Sequence, residues 1–326
     1  MITVAFFNNK GGVGKTTLVY HVACMFADMG VKTLAVDLDP QANLTSAFLD
    51  ESSLESLWSS GDATILSAVM PILEGTGDVA DVSPKEVRDN LHLICGDLGL
   101  SRFEDRLSES WSKGFAGDPA ALRVTSAFHR LILSAGDRIG AQVVLMDVGP
   151  NLGAINRASL LAADHLLIPL AADLYSLQGL RNLGPTVRKW KSDWKRTIET
   201  ANVTFPLPAG GMSPLGYVVL QHAVRLDRPV KAYQKWLDRI PSEYRKSVLG
   251  DNVPVWQGLG STDPNSLASL RNYRSLMPLA QDARKPMFDL RPSDGAIGSH
   301  SQYVQTCYAE FRELSEEILE RMKIDF

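Results

Sequence analysis

A short apolar strand that runs into a glycine-built loop and then a helix constrains this chain more than any other feature. Ile2–Phe7 is rich in β-formers and is followed at once by Lys10-Gly11-Gly12-Val13-Gly14-Lys15-Thr16-Thr17. Beyond the loop, Leu18, Val22, Met25/Phe26 and Met29 recur at helical spacing and predict one apolar face. Gly30 reads as the helix stop, and Thr33–Val36 as a second buried strand ending at Asp37. Strand, glycine loop, helix and strand in that order make the βαβ unit of a parallel sheet.

Further apolar runs at Leu91–Cys95, Val143–Met146, His165–Pro169 and Gly216–Leu220 lack alternation, as strands covered on both faces do. The fold class expected is therefore α/β, a mostly parallel central sheet with helices on both faces and some helical insertions. Residues 1–326 read as a single domain. Two stretches interrupt the plan. Asp50–Glu109 holds 13 acidic and 4 basic residues, net −9, and reads as a solvated, partly helical excursion around the Leu91–Cys95 strand. Arg225–Asn265, with Trp236 and Trp256, reads as a helical insertion. A last helix over Gln302–Lys323 would dock through Val304, Cys307/Tyr308, Phe311, Leu314, Ile318 and Met322.

The loop carries the chemistry. Phosphate groups need several N–H donors in a small space, and glycines let a backbone curl tightly enough to supply them. A helix opening at Lys15 adds the positive end of its dipole. Gly11, Gly12, Val13, Gly14 and Thr17 would form the cradle, Lys15 would reach the β/γ-phosphates, and Thr16 would ligate Mg²⁺. The strict G-x-x-x-x-G-K-[ST] pattern fails, because Asn9 stands where its first glycine belongs.

The deviant form K-G-G-x-G-K-T-T resembles the loop of the ParA/MinD family of P-loop ATPases. Three further segments fall where that family has them: Asp37-Leu38-Asp39-Pro40-Gln41, Val143–Asp147 followed by Gly149-Pro150-Asn151, and Ala163-Asp164 through Pro169 with Gly179 later. The resemblance is densest over residues 1–50 and 143–183. It implies ATP and Mg²⁺ as cofactors, Asp39 orienting the attacking water, Asp37 supporting the magnesium shell and Asp147 holding Mg²⁺ through water. Gly149 would approach the γ-phosphate. Gln221 would close the strand beside the adenine, where relatives often place Asn or Thr. Ordinary helix N-capping is the alternative reading for two carboxylates such as Asp37 and Asp39 taken alone.

Lys10 is redundant beside Lys15 in a monomer. In the family it reaches across a face-to-face dimer to the partner's nucleotide, which implies a homodimer formed on ATP binding and catalytic roles for Lys10, Lys15 and Asp39. The ParA branch also binds DNA without sequence preference in its ATP state. Net charge here is −4, so such contact must come from a local patch. Arg181, Arg188, Lys189, Lys191, Lys195 and Arg196 against Asp193 give net +5, and Arg225 and Arg228 head a second basic run. A solvated surface stripe would read the same way. Trp190 and Trp194 among these lysines suit a packed face better than base stacking.

Function is thus expected in positioning or segregating DNA or protein cargo, with a separate ParB-like adaptor stimulating hydrolysis. The alternative is a biosynthetic enzyme or regulatory switch of the same superfamily. Three scattered cysteines argue against a disulfide framework or zinc site and fit a cytoplasmic location. No apolar run approaches a bilayer span, and the acidic polar face of the last helix argues against membrane docking. The chain begins at its first strand, so the helix-turn-helix extension of larger plasmid partition ATPases, and operator binding with it, are not expected.

Overall fold

The computed structural model describes residues 1–222, 224–225, 228–229, 231–251, 263–273 and 275–326, without the side chains of 221–233. Its centre is an eight-stranded sheet. In chain order the strands are β1 (Ile2–Phe6), β2 (Thr33–Leu38), β3 (Lys85–Arg88), β4 (Leu91–Ile94), β5 (Val143–Val148), β6 (His165–Ala171), β7 (Ser213–His222) and a last edge strand, Ser266–Arg271. Their spatial order is Ser266–Arg271, β7, β6, β1, β5, β2, β4, β3. Every pairing is parallel except β3 with β4.

Two-residue periodicity sorts the side chains between two cores. From β1, Val4 and Phe6 join helix α1 (Lys15–Asp28) and the C-terminal helix Ser299–Met322, while Ala5 and Phe7 join the opposite layer. That layer holds helices Ile65–Glu74, Phe103–Phe115, Ala127–Ile139, Ala154–Leu161 and Leu174–Thr200. Because β1 lies between β5 and β6, its carboxyl end opens at the crevice where chain direction across the sheet reverses. Asp164 ties β1 to β6 by accepting from the Thr3 N–H and hydroxyl, both at 2.9 Å.

Several sequence expectations change in detail. Helix α1 is buried on nearly every face rather than one, because the C-terminal helix and the Met287–Leu290 segment cover the side turned away from the sheet. β2 and β5 each run two residues further than expected, carrying Asp37 and Asp147 inside the sheet. The acidic excursion is solvated only in part. Helix Glu51–Ser60 buries nothing, but Ile65, Ala68, Val69, Leu100, Phe103 and Leu107 sit in the core. Four described strands fall outside the expected runs: Lys85–Arg88 is charged, Ser266–Arg271 is broken by small polar residues, and Val224–Arg225 and Arg228–Pro229 pair as a short antiparallel ribbon at the start of the expected helical insertion. In the C-terminal helix Tyr308 is exposed, and Ser315 and Leu319 are buried instead.

Within Arg225–Asn265, short helices cover Lys231–Leu237 and Ile240–Tyr244, followed by a wider turn at Arg245–Leu249. Ile240, Tyr244 and Val248 pack into the sheet's own core. Trp256 lies outside the described residues. No described helix is long and apolar enough to cross a membrane.

Candidate nucleotide site

At the carboxyl end of β1 the loop turns through Gly12 and Gly14 at φ 74° and 89°, a backbone region closed to most side chains. Helix α1 then starts with no side-chain cap on its first N–H groups. An unanswered row of donors at a buried helix start suits an anion. A cavity of about 560 Å³ opens there, lined by Lys10 through Thr17, Asp39 and Pro150.

Lys15 is buried and turned inward. Its Nζ lies 2.8 Å from Asp147 Oδ1 and 3.9 Å from Asp39 Oδ2. The Thr16 hydroxyl donates to the other Asp147 oxygen at 2.7 Å. Burial raises the Asp147 carboxyl above its ordinary range, while Lys15 and Thr16 pull it back. The Thr16 hydroxyl lines the cavity, while Asp147 is wholly buried just behind it and behind Lys15; both are hard oxygen donors of the kind Mg²⁺ takes, with phosphate and water completing its shell. Among the described residues no three His, Cys, Asp or Glu side chains form a metal cluster on their own.

Asp37 and Asp147 face each other in register on β2 and β5. Asp37 is wholly buried and does not line the cavity; its Oδ2 accepts the Thr45 N–H and hydroxyl, both at 2.8 Å. Burial, then Asp147, pushes its carboxyl up to about 7. Asp37 therefore anchors the Asp39–Thr45 segment from beneath. Asp39 does face the cavity, with Oδ1 accepting the Gln41 N–H at 3.0 Å. Gly149 lies just behind Pro150: a Cβ built on it would be 3.5 Å from Asp39 Oδ1. The Gln221 side chain is outside the described residues.

Lys10 stands at the cavity mouth, hydrogen-bonded to Asp173 and 5.7 Å from the centre of the exposed Tyr175 ring. Its own N–H donates to Asn8 Oδ1 at 3.0 Å, and Asn8 is in turn fixed to the Pro169 carbonyl. Sequence reading missed this acidic partner, which sits two residues beyond β6 as the N-cap of helix Leu174–Thr200.

The far end of the cavity was also missed. Tyr20 and His21 form one wall, and Met277, Gln281 and Arg284 of a short helix region form the other. His21 braces the two walls. Its Nε2 accepts the Met287 N–H at 3.0 Å, so Nδ1 carries the proton and donates to the Thr17 carbonyl at 2.7 Å. Burial holds its ring neutral, with the pKa lowered to about 4. No motif marks these residues, because their spacing of more than 250 positions is closed only by the fold.

The basic helix is real and outward-facing in part. All six of Arg181, Arg188, Lys189, Lys191, Lys195 and Arg196 are exposed, but Arg181 pairs with Glu243 at 2.7 Å and Arg188 donates to the Ser247 and Val248 carbonyls, while Lys189 pairs with Asp193 at 2.7 Å and Lys191 donates to the Gly211 carbonyl at 2.5 Å. Trp190 and Trp194 are buried, as a packed face requires. The side chains of Arg225 and Arg228 lie outside the described residues.

A family model described as an AAA domain matches residues 1–200, which hold the loop, the Asp37–Asp39 segment and Asp147. The chain belongs to the ParA/MinD family of P-loop ATPases. It is 30% identical over 185 residues to the sporulation initiation inhibitor protein Soj of Bacillus subtilis, a match covering 57% of this chain and 64% of Soj. It is 25% identical over 206 residues to the chromosome partitioning protein ParA of Caulobacter vibrioides, covering 63% and 68%. Among solved structures, protein DIP2308 of Corynebacterium diphtheriae superposes with a TM-score of 0.74 at 25% identity over 99% of both chains. The pNOB8 ParA structure bound to nonspecific DNA shares the fold, with a TM-score of 0.57 at 20% identity over 99% of this chain and 98% of that one.

Proposed function

We propose that the chain is an ATPase that dimerises on binding ATP and positions or segregates DNA or protein cargo. One observation carries the reading: two lysines serve one phosphate cradle, Lys15 committed inward to Asp147 and Lys10 held at the mouth by a partly exposed pair. An inward lysine answers the chain's own nucleotide. A second at the rim is placed to answer charge arriving from outside, as an arginine finger does in trans. The exposed Leu174 and Tyr175 beside it are suited to burial against a second copy.

The residues divide the work. The Gly11–Thr17 N–H groups and α1 bind and orient the phosphates, and Lys15 moves from Asp147 toward the β/γ oxygens as they enter. Thr16 and, behind it, Asp147 would hold Mg²⁺, which would supply positive charge beside the phosphates. Asp39, buried but facing the cavity, orients the attacking water. Pro150 and the walls at Tyr20 and Met277 exclude bulk solvent. Relatives named for chromosome partitioning, and a structural neighbour solved on nonspecific DNA, support assigning the exposed Lys189, Lys191, Lys195 and Arg196 to DNA phosphates.

Mobility shift with arbitrary duplex DNA tests the second half of the proposal. Retardation should need ATP and fade steeply with salt; retardation equal in ADP and ATP would overturn the coupling.

A further inference from the structure

Arg157 is an oddity that the nucleotide site does not explain. It lies on helix Ala154–Leu161, immediately after the Gly149–Asn151 segment, and its guanidinium is walled by Trp111 at 4.1 Å, Phe115 at 5.1 Å and Trp190 at 5.6 Å. Its Nε and Nη2 are buried and have no hydrogen-bond partner among the described residues; Trp111 Nε1 beside it has none either. A buried cation with idle donors is costly unless an anion can reach it. The nearest is Asp193 Oδ2, 3.9 Å from Nη2 and so beyond hydrogen-bond range.

That same oxygen is held 2.7 Å from Lys189 Nζ on the outer face of the helix. Lys189 is 73% exposed, whereas the Arg157 side chain is 14% exposed. One carboxylate thus stands between a surface lysine of the basic stripe and the largely buried arginine of helix Ala154–Leu161. Resting on the DNA reading above, we propose that Asp193 relays DNA contact to the γ-phosphate side of the nucleotide site. A DNA phosphate that takes Lys189 releases the carboxylate, which then closes on Arg157.

Both steps follow from ordinary energetics. An exposed i,i+4 pair is weak and screened by salt, so a phosphate displaces it readily. The released carboxylate finds a desolvated guanidinium with open donors, where a charge-assisted bond is stronger. Closing the gap pulls on the start of helix Ala154–Leu161. The neighbouring Asn156 amide donates to the Gly149 carbonyl at 2.8 Å and the Asn151 carbonyl at 2.6 Å, and Pro150 between them lines the cavity. Glu104 grips the same helix start by accepting the Ile155 N–H at 2.9 Å, so displacement at Arg157 passes into a held segment.

ATP turnover and DNA affinity, measured side by side on the full chain with arbitrary duplex DNA, separate this from a bare surface role. Asp193→Asn removes a negative charge beside Lys189, so DNA affinity should hold or tighten, while stimulation of turnover by DNA falls about fivefold or more and basal turnover is unchanged. Arg157→Lys should lose stimulation with DNA affinity intact. The tryptophan emission attributable to Trp111 and Trp190, isolated by replacing each of these two of the six tryptophans with Phe, should respond to DNA in the wild type and not in Asp193→Asn. Stimulation intact in Asp193→Asn, or DNA affinity and stimulation lost together in both variants, would overturn the relay alone. A wild type that binds no DNA with ATP would overturn the relay and the DNA reading together.

Discussion

Lys15 and Asp147 form the most buried ion pair of the nucleotide site, and neither tolerates the loss of the other. Lys15→Met should lower ATP affinity by about thirtyfold or more, the scale of a lost charge-assisted contact, as calorimetry with Mg²⁺ would measure. It would also leave Asp147 as a buried charge without its cation, so the nucleotide-free protein should lose about 3 kcal/mol of stability. His21 gives a second test at this scale. Its folded pKa of about 4 lies below the unfolded value, so the fold binds fewer protons than the unfolded chain between the two. The stability it contributes is complete above about pH 6.5 and is lost as pH falls through 4. His21→Gln should melt lower than wild type at pH 7.5 and show a shallower fall in Tm between pH 6.5 and 4. An identical pH profile would contradict the neutral brace between Thr17 and Met287.

Helix Leu174–Thr200 is the element on which most of the functional reading converges. Its N-cap holds Lys10, its middle packs against Arg245–Leu249, and its outer face carries the lysines. Gly184 makes that packing possible, since a Cβ there would lie 1.8 Å from the Ser247 carbonyl oxygen. Gly184→Ala should therefore cost about 2 kcal/mol or more, read as a lower denaturant midpoint, despite alanine's better helix propensity. At this scale the limits of sequence reading are also visible. The strands near β1 were legible because each is an unbroken apolar run covered on both faces. Lys85–Arg88 and Ser266–Arg271 were not, because edge strands need no such run. The loop could be read from glycines and a lysine that are adjacent in sequence. Asp173, His21 and the Met277–Arg284 wall could not, since partners separated by up to 266 residues leave no local pattern. Helix α1 misled because a helix buried all round still shows an apolar stripe.

For the whole molecule, the fold supplies one nucleotide cavity at the sheet's crevice and a basic helix that starts beside it, in a chain of net charge −4. The four cations assigned to DNA on each protomer, Lys189, Lys191, Lys195 and Arg196, would release counterions on binding duplex DNA. The logarithm of affinity should then fall against that of salt concentration with a slope of roughly −3.6 for one protomer and twice that for a dimer. A slope near zero would remove Lys189, Lys191, Lys195 and Arg196 from the interface. Dimerisation on ATP is what gives Lys10 its purpose. Light scattering on the Asp39→Ala chain, which should bind ATP without consuming it, tests it most directly. With Mg-ATP the mass should rise to twice the 35.7 kDa of the chain, and adding Lys10→Ala should return it to the monomer while ATP still binds. A double variant that still doubled its mass, or a parent that stayed monomeric with ATP bound, would contradict the role assigned to Lys10.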